Sequence, residues 1–160
     1  MKYIEGDLIE LFEQGEFDVL VHGCNCRKKM KSGIAAQIVE KYPPVNDADL
    51  LSNDNAEEKL GSFECVLISE KDCKSIINAY TQLNYGRDKN IVYVSYPAVR
   101  SVFRAITSYA LNFQKAYGYK YRFGIPKIGC GLANGDWDIV SRIIAEETIG
   151  LDITVVEYKK

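Results

Sequence analysis

Short apolar, β-branched runs alternate with longer segments of helical period, and that alternation constrains this chain more than any other feature. Runs at 2–5, 17–22, 63–69, 75–80, 122–125 and 153–157 are bounded by polar residues and read as strands, with 91–94 as a weaker seventh. A helix is expected over 33–41, opened by Ser32 as N-cap. The segment 96–117 carries Val99, Val102, Phe103, Ile106, Tyr109, Ala110, Phe113, Ala116 and Tyr117 at spacings of three and four, so it predicts one helix with one buried stripe. Ser95 caps it, Pro97 sits in its first turn and Gly118 ends it. A short helix over 8–14 and a last one from Asp136 or Trp137 to about 148 complete the set. Strands and helices in this order imply an α/β sandwich with a largely parallel central sheet.

Length and composition narrow the reading. The 160 residues suffice for one domain, and 47% hydrophobic with 26% charged residues is ordinary globular usage. No 18-residue apolar run is present, which argues against a membrane-spanning helix. The polar, acidic start through Asp7 is unlike a secretory signal, so a cytoplasmic protein is expected, the host cytoplasm if the origin is viral. The five cysteines are then expected to be reduced and mostly buried. Lys plus Arg is 20 and Asp plus Glu 22, a net charge of −2, without the basic surplus of a duplex-DNA binder. A phosphate-bearing ligand is therefore expected to be held by backbone N–H groups rather than by a field of cations. The polar, Asn- and Asp-rich stretch 43–59 reads as an internal excursion with a helix around 47–60.

Glycine-bearing loops run from a strand end to a helix start at 23–33 and again at 126–136, the second reading P-K-I-G-C-G-L-A-N-G-D. Glycine lets a backbone approach a ligand closely, and a helix N-terminus offers unpaired N–H groups and the positive end of the dipole. Together they make an anion cradle suited to a diphosphate. Neither loop is a Walker or dinucleotide fingerprint, for no G-K-[ST] or G-x-G-x-x-G occurs.

At these residues the sequence resembles the macrodomains, which bind ADP-ribose. Gly6-Asp7-Leu8 looks like the family's G-D-[IL], and Val21-His22-Gly23-Cys24-Asn25 stands where most members have V-N-A-A-N. Met30-Lys31-Ser32-Gly33-Ile34-Ala35 resembles the first glycine-rich loop, and the run from Ile125 to Leu132 resembles the second phosphate loop. The resemblance covers nearly the whole chain. It implies a single domain over 1–160, a three-layer α/β/α sandwich with a mixed sheet, and no cofactor. It further implies that Asp7 accepts from the adenine amino group with the Leu8 backbone beside it, and that Asn25 binds the distal ribose. Ser32, Gly33, Ile34 and Ala35 would face one side of the diphosphate, and Ile128, Gly129, Cys130, Gly131 and Leu132 the other. Asp7 is also a natural helix cap, and Asn25 an Asx-turn residue.

Departures from the family pattern bear on activity. His22, the one histidine, replaces the usual first Asn, as in members resembling the ADP-ribose-1″-phosphate phosphatases. The glycohydrolase branch shares the second loop but uses a mid-chain lysine and an aspartate after G-C-G-L, where this chain has Gln82 and Ala133. Phosphomonoester hydrolysis needs an aligned water, a proton for the leaving oxygen and stabilised phosphoryl charge. His22, expected to point into the cleft, is the natural acid or base, and Asp136 either orients the water or caps its helix. His22 as a mere ribose or backbone hydrogen-bonding partner is the alternative. A slow phosphatase acting on ADP-ribose-1″-phosphate is thus expected. A non-catalytic reader of ADP-ribosylated protein or nucleic acid and an ADP-ribosyl hydrolase are the other readings. His22, Cys24 and Cys26 alternate and with a water could form a zinc site, but H-x-C-x-C is tight for one tetrahedral ion and no fourth partner is apparent, so zinc is a minor alternative and no metal is expected. Arg27, Lys28, Lys29 and Lys31 form a basic run that could attract an anionic ligand to the cleft. Tyr80 and Trp137 read as packing residues or as linings of that cleft.

Overall fold

Alternation of the kind described above requires that helices leave the sheet on both faces, and the computed structural model shows how. It describes residues 1–158. In chain order the elements are β1 (Lys2–Glu5), α1 (Leu8–Glu13), β2 (Val19–Asn25), α2 (Gly33–Lys41), α3 (Pro44–Leu50), α4 (Ala56–Lys59), β3 (Phe63–Ser69), β4 (Lys74–Gln82), α5 (Tyr96–Tyr117), β5 (Arg122–Ile125), α6 (Trp137–Glu147) and β6 (Asp152–Glu157). The strands form one six-stranded sheet in the order β1-β6-β5-β2-β4-β3. Every neighbouring pair is parallel except β3 with β4, so the sheet is mixed and largely parallel.

Side-chain alternation along the strands feeds separate cores. Val19, Val21, Ile77, Ala79, Phe123 and Ile125 pack under α5 and α6. Leu20, Ile76 and Tyr80 pack on the other face with Leu8, Phe12, Ile38, Val45 and Ala56 from α1 to α4. The buried Asp18 fixes the β2–β5 junction: its carboxylate accepts from the Arg122 backbone N–H at 2.8 Å and from the guanidinium at 3.0 and 3.2 Å.

Several expectations need correction. Residues 91–94 do not form a strand; only an isolated Gln82–Val94 bridge occurs there. The helix placed around 47–60 is two short helices, α3 and α4, because Asn53 and Asn55 divert the chain into an Asx-type turn and a new cap. This segment is not a free excursion, since Val45, Asp49, Ala56 and Lys59 are all buried against the sheet. The stripe on α5 is buried only as far as Ala110; Tyr109, Phe113 and Tyr117 are exposed. There the rings cover one another instead, with centroids 5.1 and 5.2 Å apart. The cysteines are not mostly buried: Cys24 and Cys26 are, Cys130 is half-buried, and Cys65 and Cys73 lie exposed on β3 and the β3–β4 turn.

Candidate functional site

The loops after β2 and β5 leave neighbouring, parallel strands and then part company. The chain from β2 crosses through α2 to the β4 side of the sheet, whereas β5 passes through α6 to β6 on the other side. Such a reversal opens a crevice beyond the carboxyl ends of the strands. Gly23, near the end of β2, closes the floor. A Cβ there would stand 2.8 Å from Thr81 Oγ1 and 3.0 Å from Ile128 Cγ2, so only glycine lets the second loop press onto the strand.

In the first loop, α2 begins with its amides open. Ser32 has the extended backbone of an N-cap, yet its side chain makes no capping bond, contrary to expectation. Gly33 follows with φ +61°, which favours glycine, and a Cβ at this position would face open space. Among the described residues, the N–H groups of Gly33, Ile34 and Ala35 meet no acceptor, and the first helical bond is Ala36 N–H to Ser32 O at 3.4 Å. In the second loop, Gly129 has φ +75° and packs under Val94, while Gly135 N–H donates to Gly129 O at 2.7 Å and closes the loop on itself. The amides of Gly129, Gly131 and Leu132 likewise meet no acceptor among the described residues. Those of Ile128 and Cys130 are turned inward, to Pro126 O and Lys127 O, so these two residues shape the loop rather than offer N–H groups. The half-buried Cys130 thiol is pushed up to about 11 by burial, which leaves it a neutral packing group.

Asp7 stands at the end of β1. Its Oδ1 caps α1, accepting from Ile9 N–H at 3.0 Å and Glu10 N–H at 3.1 Å. It also edges a groove of about 660 Å³ between α1 and α2, lined by Ile9, Glu10, Glu13, Gln37, Glu40 and Lys41. Of the predicted site residues only Asp7 belongs to that groove; Leu8 is buried in the core below.

His22 does not point into the crevice. Its ring is fully buried on the α3 side of the sheet, with Nε2 2.6 Å from Asn78 Oδ1. The Asn78 amide donates to Val45 O at 3.2 Å, so Oδ1 is the acceptor and Nε2 carries the proton. Burial lowers the imidazole pKa to about 4, opposed by the Asn78 bond and the charge of Asp49. The expectation failed because side chains alternate along β2: position 22 faces the core between α3 and the sheet, and position 23 the second loop.

Asn25 takes the turn role. Its Oδ1 accepts from Arg27 N–H at 2.9 Å and its Nδ2 donates to Lys29 O at 2.8 Å. Asp136 caps α6 through Asp138 N–H at 2.9 Å, and its own N–H donates to Tyr96 Oη at 3.0 Å; the residue is exposed. Tyr80 is packing, not lining: fully buried, it donates toward Asp49 Oδ1 at 2.9 Å. Trp137 packs half-buried against the α5–α6 core. Among the described residues no cluster of His, Cys, Asp or Glu could hold a metal ion.

Other contacts at this edge carry no sequence signal, because most of them join residues far apart in the chain. Arg27 Nε donates to Asn84 Oδ1 at 2.9 Å, and Gln82 Nε2 donates to Asn84 O at 2.8 Å. Asn134 Nδ2 donates to Asp88 O and Ile91 O, tying the segment after β4 to the second loop.

Comparison with known proteins agrees with this architecture. The family model for the macro domain matches residues 21–144. A 17.5 kDa protein of Enterobacteria phage T4, from the tk-vs intergenic region, is 30% identical, over 99% of this chain and 97% of its own. The ADP-ribose glycohydrolase OARD1 of Bos taurus is 28% identical, over 98% of this chain and 89% of its own. Thermosipho africanus DarTG, solved in complex with ADP-ribose, superposes with a TM-score of 0.71 at 19% identity, over 97% of this chain and 40% of that one. With that family match over most of its length, the chain belongs to the macro domain family.

Proposed function

We propose that the chain binds ADP-ribose along the carboxyl edge of its sheet and hydrolyses the terminal phosphate of ADP-ribose-1″-phosphate slowly. One observation carries the reading: sets of unpaired amides, Gly33 to Ala35 and Gly129, Gly131 and Leu132, stand in the loops that follow the neighbouring strands β2 and β5, where the connections reverse. Such amides suit a diphosphate in a chain of net charge −2. Adenine then lies toward Asp7 at β1, whose second carboxylate oxygen is not used in capping. The distal ribose lies toward β2 and β4, near Asn25. From β1 to β4 is four strand spacings, about 19 Å, a fit for an extended dinucleotide-like ligand.

The chemistry assigned is attack of water on phosphorus with cleavage of the bond between phosphorus and the C1″ oxygen. Inorganic phosphate and ADP-ribose leave, the ribose oxygen taking its proton from solvent. Proton transfer is not given to His22, whose enclosed, neutral ring positions β2 against Asn78 of β4 instead. Asp136, exposed at the second loop's exit, is the carboxylate offered to the water. Without a metal or an enclosed acid the reaction is slow, because the uncatalysed barrier for phosphate monoesters is among the highest known.

A second reading, release of ADP-ribose from a macromolecule, draws on the OARD1 similarity. Against it, Gln82 and the buried Ala133 occupy the places where that branch carries its reactive groups. Calorimetric titration with ADP-ribose, then phosphate release from ADP-ribose-1″-phosphate, tests the proposal. Binding is expected to be lost in Gly33→Glu, which sets a carboxylate in front of the α2 amides. Phosphate release is expected to fall at least about tenfold in Asp136→Asn. Binding that survives Gly33→Glu rejects the placement of the diphosphate. Binding without turnover leaves a reader.

A further inference from the structure

We infer that Arg27 is the receptor for a phosphate carried by the distal ribose, so that the cleft prefers ADP-ribose bearing that phosphate to ADP-ribose itself. This rests on the ADP-ribose reading above and names what that reading leaves open, the group that sets selectivity at the distal end.

Arg27 follows the end of β2 directly after Asn25 and Cys26. Its main chain is fixed by Asn25 Oδ1 at 2.9 Å, and the preceding amide, Cys26 N–H, donates to Gln82 O at 3.0 Å. Its side chain is fixed on one edge only, by the bond from Nε to Asn84 Oδ1. Asn84 in turn is held by Gln82, the residue standing where the glycohydrolase branch carries lysine. The relay Gln82–Asn84–Arg27 therefore aims a guanidinium. Among the described residues its Nη1 and Nη2 have no hydrogen-bond or ion-pair partner, and the residue is exposed. A planar fork with one edge anchored and the other open suits the paired oxygens of a phosphate.

Nearby cations are not equivalent. Lys28 Nζ is spent on Leu50 O at 3.1 Å, Ser52 O at 2.9 Å and the Asp54 carboxylate. Arg87 and Lys89 share the loop of Asn84 and add positive charge, partly offset by Asp88 between them. The order along the sheet edge gives the location. With adenine toward β1 and the diphosphate between the β5 and β2 loops, the next group past the distal ribose meets the β2–β4 end, where Arg27 stands. That phosphate has two sources: a free monoester, as in ADP-ribose-1″-phosphate, or the terminal phosphate of a nucleic acid joined to C1″.

Competition against a fluorescent ADP-ribose analogue, read within seconds of mixing and before turnover, tests this on the whole chain. Wild-type protein is expected to bind ADP-ribose-1″-phosphate about tenfold more tightly than ADP-ribose. Arg27→Gln should bring that ratio to about one and leave ADP-ribose affinity within about twofold. Asn84→Ala should give an intermediate ratio, and Arg27→Lys should restore only part of it, for an ammonium lacks the fork. An oligonucleotide carrying ADP-ribose on its terminal phosphate separates the sources: preference retained assigns the diester, preference lost assigns the monoester. A wild-type ratio of one, or a ratio unchanged in Arg27→Gln, overturns the inference while leaving ADP-ribose binding intact. Failure of wild-type protein to bind ADP-ribose at all removes the underlying reading and this with it.

Discussion

His22 shows how one position on a strand decides a residue's chemistry. Imidazole left in water titrates near 6.5, but enclosure beneath α3 lowers this pKa to about 4. The unfolded chain therefore takes up a proton as pH falls through about 6.5, whereas the folded chain holds off until about 4. Stability from this group is fully present above the unfolded value and is lost across that window as pH falls. The shift corresponds to at most about 3 kcal/mol. Urea unfolding at stepped pH should show wild-type stability falling relative to His22→Gln between these values and running parallel to it above pH ~6.5. A difference that stays flat across the window would mean that the ring is solvated. Gly129 makes the opposite point, since φ +75° and a would-be Cβ 2.5 Å from Val94 Cγ2 leave no room for any side chain. The spacing of G-C-G displays that requirement openly, whereas nothing in V-H-G-C-N says which face His22 will take.

Among the elements, α3 and α4 are held by a buried polar knot. Lys59 Nζ lies 3.0 Å from Asp49 Oδ1 and 4.2 Å above the Tyr80 ring, and both ends of the ion pair are buried. Tyr80 donates toward the same carboxylate oxygen, while Asp49 Oδ2 has no partner. Removing one charge leaves the other stranded, at a cost of about 3–5 kcal/mol. Lys59→Met should lose about that much in urea unfolding, and Asp49→Leu with Lys59→Met should recover much of it, because no uncompensated charge remains. A double variant no better than the single one would show that the pair is a net source of stability. This knot also explains what the sequence leaves illegible. The parallel strands, α2, α5 and the glycine loops are local patterns of period, cap and turn, and they are readable in order. The 43–59 segment looks like a polar linker because Asp49 and Lys59 are matched only once the chain has folded, as are Arg27 and Asn84 at the β2–β4 end of the sheet. Helix α5 fails in the other direction. Its aromatic stripe keeps its period beyond the buried part of the helix, where Tyr109, Phe113 and Tyr117 lie exposed and lean against one another with tilted rings.

At the scale of the whole molecule, strand order and charge act together. Reversal of the connections between β5 and β2 builds the crevice without any contribution from side-chain charge, and the chain carries a net −2. A ligand gripped by main-chain amides should be insensitive to screening, whereas one drawn by a field of exposed cations loses affinity steeply with salt. ADP-ribose affinity is therefore expected to change by less than about threefold between roughly 50 and 200 mM salt. The added preference for a distal phosphate, resting on the exposed Arg27, should shrink over the same range. Binding should also raise thermal stability: at about 100 times the dissociation constant the gain is about 2.7 kcal/mol, or roughly 5–10 °C in Tm for a domain of this size. Gly33→Glu should remove that increment. An ADP-ribose affinity falling more than about tenfold across the salt range would place cations, not amides, against the diphosphate. The basic run after β2 would then be the grip and the uncapped start of α2 merely its neighbour.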